Sequence, residues 1–112
     1  MLTAATVAAG LSASCGAPNC TAELRNALVV TVRDATGSDI CTAIVTAIDG
    51  NFRARLQSTG SSPPCTYVGP PERKGTYAVI ARVDGQSAST SGIRVTGDQC
   101  HVQSRDVTLT PR

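Results

Sequence analysis

Aromatic rings are nearly missing from this 112-residue chain: it has no Trp, one Phe and two Tyr, 3% in all. A core built without them relies on Val, Ile, Leu and Ala, which bury less area per residue. A domain of this size hides only about two thirds of its unfolded surface, so such a core gains from covalent staples. No run of 18 apolar residues occurs, so the sequence contains no transmembrane helix. Excess charge is missing too. Ten basic and eight acidic residues leave a net charge of +2, without the basic stripe that nucleic-acid binding requires. Glu, Lys and Leu are scarce, whereas Thr, Ser, Gly and Val abound. That mix suits strands and turns better than helices.

Catalytic signatures are also absent. There is no G-x-S-x-G elbow, no P-loop, no G-x-G-x-x-G and no C-x-x-C pair. His101 is the single histidine and directly follows Cys100. Adjacent residues of an extended strand point to opposite faces, so thiol and imidazole do not converge as a nucleophilic pair requires. The paired carboxylates Asp34 and Asp39 flank one turn, where capping is the ordinary role of aspartate. The sequence therefore predicts no catalytic residue, no metal ligand and no cofactor.

What the chain does have is cysteine. The positions 15, 20, 41, 65 and 100 are spread out, unlike the clustered ligands of a metal site. A disulfide framework is the better reading, and it implies an oxidising space outside the cytosol. Residues 1–14, MLTAATVAAGLSAS, are small and apolar, like the end of a signal peptide, with Ser12, Ala13 and Ser14 before Cys15. The stretch resembles a bacterial lipobox, although Leu11 stands four residues before the cysteine and Ser12 occupies the usual leucine position. A plain cleaved signal, or an ordinary helix with Cys15 paired in the fold, are the alternatives. Lipidation of Cys15 leaves four cysteines, an even number that can all pair. Residues 15–26 then read as the lipobox cysteine and a tether, and residues 27–112 as one domain.

That domain reads as strands. Leu28, Val30 and Val32 alternate with Val29, Thr31 and Arg33, the period of a half-buried strand. Residues 40–48 form a second strand, whose mixed alternation suggests cover on both faces. In 51–57, Phe52, Ala54 and Leu56 face in while Arg53 and Arg55 face out. Residues 58–75 hold four of the six prolines, which predicts a long loop rather than a central strand. Residues 76–83 place Tyr77, Val79, Ala81 and Val83 inward. Short strands follow at 93–95 and 102–111, the latter with Val107 and Leu109 inward. About seven short strands with turn signals between them predict a β-sandwich.

Three stretches, VTVRDATGSDICTAIVTAIDG, ERKGTYAVIARVDG and IRVTGDQCHVQSRDVTLTP, resemble the carboxypeptidase regulatory-like domains over residues 27–110. Asp34 to Gly37, Ala43 to Val45, Gly75 to Tyr77 and Val107 to Leu109 match the family pattern. ER-x-G-T-Y and D-x-CHV look like its short lipoprotein form. The resemblance implies an all-β, seven-stranded Greek-key sandwich of prealbumin-like, Ig-like type. Within such a sandwich the favoured pairings are Cys41–Cys65 and Cys20–Cys100, worth about 3.5 and 4.5 kcal/mol in loop-closure entropy.

The function expected is a non-enzymatic structural or interaction module of the bacterial cell envelope, facing the periplasm or exterior. A lipid on Cys15 would hold it to a membrane, and its partners would be another envelope protein or a cell-wall glycan. The alternative is a secreted carbohydrate- or peptide-binding module using the 58–75 loop, with Tyr67, Arg73 and Lys74 as contacts.

Overall fold

The computed structural model describes residues 20–112, so the expected signal segment and Cys15 lie outside the described residues. Eight strands follow one another: β1 (Asn26–Val32), β2 (Ile44–Asp49), β3 (Phe52–Arg55), β4 (Gln57–Ser58), β5 (Tyr67–Pro71), β6 (Gly75–Val83), β7 (Gln86–Val95) and β8 (Arg105–Leu109). No helix occurs among the described residues. The first sheet has the order β4-β5-β1-β8 and the second β3-β2-β6-β7. The all-β class and the two disulfides are as expected, with eight strands in place of about seven.

The alternation of small aliphatic residues builds the core between the sheets. Leu28, Val30, Val32 and Leu109 meet Val45, Ala47, Tyr77, Val79 and Ala81 in one buried cluster. β6 turns into β7 through Asp84 and Gly85, whose φ angles of 49° and 76° are those of the turn that suits a two-residue hairpin. β8 lies parallel to β1, from Leu28 beside Arg105 to Val32 beside Leu109.

Several expectations need correction. The strand at 40–48 starts only at Ile44 and is covered on one face: Val45 and Ala47 are buried while Ile44 is 47% exposed. The stretch 51–57 is split between the sheets at Leu56. Arg55 pairs with Thr46 in the second sheet and Gln57 with Val68 in the first, and Leu56 is buried where the chain crosses. The proline-rich segment is not all loop. Its residues 67–71 form β5, an interior strand between β4 and β1. The prolines are tolerated because β4 reaches only Tyr67 and Val68, so Pro70 and Pro71 run past its end. Finally, β7 extends over ten residues rather than three. Its Ser- and Thr-rich half has no apolar alternation and is held by pairing with β6. A bulge interrupts that pairing, with Ile93 opposite Tyr77 and Thr90 opposite Val79. Gly92, at φ 72°, lies within it.

Candidate functional site

Three segments converge where the chain enters the sandwich: residues 20–25, the β5–β6 turn at Glu72, and the loop between β7 and β8. The Cys20–Cys100 disulfide joins the first to the third. Glu72 takes a left-handed φ of 49°, a conformation uncommon for a residue with a side chain. That conformation accompanies a carboxylate that accepts three N–H groups. Oε2 accepts the Arg25 amide at 3.0 Å and faces His101 Nδ1 at 2.5 Å, and Oε1 accepts the Val102 amide at 2.9 Å. The Glu72 amide in turn donates to the Arg25 carbonyl at 2.8 Å. The His101 contact first, then the Val102 amide, hold the Glu72 carboxyl down at about 2.

On its other side, His101 Nε2 lies 2.7 Å from Thr21 Oγ1. Thr21 also donates to Glu23 Oε1 at 3.1 Å, and Arg25 pairs with the same carboxylate. Hydroxyl, imidazole and carboxylate thus stand in a row, the order used by nucleophilic hydrolases. Acyl transfer also requires free N–H donors aimed at a developing oxyanion. Three amides beside the imidazole are already engaged: Cys100 and His101 donate to Asp98 Oδ1 at 2.8 and 2.9 Å, and Val102 donates to Glu72. Those two donors hold the Asp98 carboxyl below the usual range, the His101 amide contributing most. The row is built as a clasp. It ties the entering chain to the turn and loop beside it, alongside the disulfide.

The residues expected to bind a ligand are not brought together. Tyr67 is 1% exposed and sits in the core, not on a loop. Its hydroxyl donates to the Ile40 carbonyl at 2.7 Å and accepts the Ala43 amide at 2.9 Å, so it offers no surface to a ligand. This fixes the 40–43 segment next to the Cys41–Cys65 disulfide. Arg73 lies over the Phe52 ring, 3.7 Å from its centroid, and pairs with Asp49 at 3.0 Å. It also donates to the Tyr77 hydroxyl, which donates back to the Arg73 carbonyl. These partners, Tyr77 before Asp49, push the guanidinium further up. A Cβ at Gly75 would meet the Asp49 carboxylate, so a side chain there would displace Asp49 from its pairing with Arg73. Lys74 alone of the three is exposed.

Asp34 and Asp39 do not form a pair. Asp34 caps its turn through Thr36 and Ser38, with the Thr36 hydroxyl first in lowering its carboxyl, while Asp39 contacts Arg33 and the Cys65 amide. Among the described residues no three His, Cys, Asp or Glu side chains converge on a metal position. Sequence reasoning passed over Glu72 and Thr21. Glu72 and His101 do fall inside the two motifs, ER-x-G-T-Y and D-x-CHV, that carried the family resemblance, and here those motifs touch. No family model, curated protein or solved structure matches the chain.

Proposed function

We propose that the protein is a non-enzymatic interaction module of the bacterial cell envelope, a carboxypeptidase regulatory-like sandwich held to a membrane by lipid on Cys15. The observation that carries this reading is the pairing of Cys20 with Cys100 and Cys41 with Cys65, which leaves Cys15 as the one cysteine outside both bridges. Two disulfides accord with an oxidising compartment. The clasp at Thr21, Glu72 and His101 supports the same reading, because it fastens the domain at the point where a tether would pull. Counting the two-residue β4 as an extension leaves seven strands, in keeping with a prealbumin-like Greek key. The alternative, sugar or peptide binding by the 58–75 loop, loses support because Tyr67 and Arg73 are committed to internal contacts.

Intact-mass spectrometry of the full chain made in a bacterial host, with and without thiol alkylation, tests the proposal. The expected result is a diacyl- or triacylglyceryl mass on a chain beginning at Cys15, with no alkylatable thiol. An unlipidated chain with a free thiol would overturn it.

A further inference from the structure

The two outer faces of the sandwich differ in charge. On the second sheet, the pairing register puts Arg53, Ile48 and Ala78 side by side in one row. Arg55, Thr46, Ile80 and Ser89 form the next row, and Ile44, Arg82 and Ser87 the third. Thr76 stands beside Arg94 near the other end. The intervening residues Val45, Ala47, Tyr77, Val79 and Ala81 are buried, so these rows face away from the core. The rows of the outer face therefore carry four arginines around Ile44, Ile48 and Ile80, with one carboxylate, Asp84, at the hairpin end, where it lines a depression with Ile44 and Arg82. None of the four joins an ion pair among the described residues. Lys74, exposed and lining a shallow depression with Thr76 and Arg94, extends the positive margin. On the first sheet the corresponding rows hold Val68, Val29 and Asp106, then Thr31 and Thr108.

We infer that this arginine-rimmed face docks an acidic protein surface, with the isoleucines against an apolar patch and the guanidiniums against carboxylates around it. The composition is that of a protein interface: an apolar centre, a charged rim, and arginine rather than lysine. A second copy of this chain is disfavoured, since a two-fold contact through this face would set four guanidiniums against four. A lipid surface is a weaker fit, because the face carries no aromatic ring to sit at headgroup level. Four strands about 4.8 Å apart and some 20 Å long span roughly 400 Å², half of the ~800 Å² a standard partner buries. The contact is thus of the transient, salt-sensitive kind, which calls for covalent capture. The inference does not depend on lipidation of Cys15.

The test places p-benzoyl-phenylalanine at Ile44 or Ile80, and at Thr31 as the control on the opposite sheet, in the full chain expressed in its source cells. Irradiated adducts are mapped by peptide mass spectrometry. The expected result is one protein captured from both Ile44 and Ile80, through a segment rich in Asp and Glu, and not from Thr31. Arg55→Glu with Arg82→Glu should lower the yield at least tenfold without moving the melting temperature, and Arg55→Gln with Arg82→Gln should lower it less. Reversing the mapped carboxylates to arginine should restore capture by the doubly reversed chain. Any of four results would overturn the inference: no protein adduct from Ile44 and Ile80, equal capture from Thr31, yield unaffected by charge reversal, or adducts only with lipid, glycan or the chain itself.

Discussion

A hydroxyl of one tyrosine and a carboxylate of one glutamate do much to hold this small core in place. The Tyr67 hydroxyl satisfies a carbonyl and an amide of the segment leading into β2, and that amide contact is buried. Tyr67→Phe leaves both backbone groups without their partner and should cost about 1–3 kcal/mol in urea denaturation. Glu72 has a pH signature. Its carboxyl sits at about 2 in the folded protein against an ordinary 4.5, so between those values the unfolded chain binds more protons. The Glu72 contribution is complete above the ordinary value and is lost as pH falls toward 2. Thermal melts should therefore show Glu72→Gln well below wild type at pH 6, with the gap closing through pH 4 to pH 3. Neither role was legible in the chain. Tyr67 stood among prolines and read as a loop residue, and Glu72 and His101 lie 29 positions apart, joined only by topology.

At the scale of elements, legibility followed hydrophobic alternation. β1, β3 and β6 announce themselves because every second residue is apolar and is half or fully buried. β5 was hidden by its prolines, and the first half of β7 by a run of serine and threonine with nothing to mark an inner face. Both are strands because a neighbour supplies hydrogen bonds: β1 for the one, β6 across a tight turn for the other. The parallel pairing of β1 with β8 has no local signature at all. The Cys41–Cys65 bridge could be chosen only once a sandwich was assumed. It ties the segment before β2 to the start of β5, where Cys65 is itself buried. Removing it as Cys41→Ala with Cys65→Ala should lower the unfolding free energy by about 3.5 kcal/mol, a large part of the 5–15 kcal/mol typical of such a domain. Urea titration of the oxidised wild type and the double variant measures the difference.

For the molecule as a whole, the sequence conveyed the all-β class and, once a sandwich was assumed, the pairing of four cysteines. It did not convey that the arginines of β3, β6 and β7 share a face, since that depends on which strands become neighbours. The bridge between Cys20 and Cys100 has a mechanical consequence. Tension applied at residue 20 and taken up at residue 112 passes straight across the disulfide, and the 80 positions it spans are left out of the line of force. Only the segment after Cys100 can be drawn out, at most about 40 Å, against roughly 300 Å for the reduced chain. Force spectroscopy in the presence and absence of reductant should show that contrast. An oxidised domain of this construction would work as a link of short, fixed reach, handing a pull from one end to the other with only the edge strand β8 exposed to it.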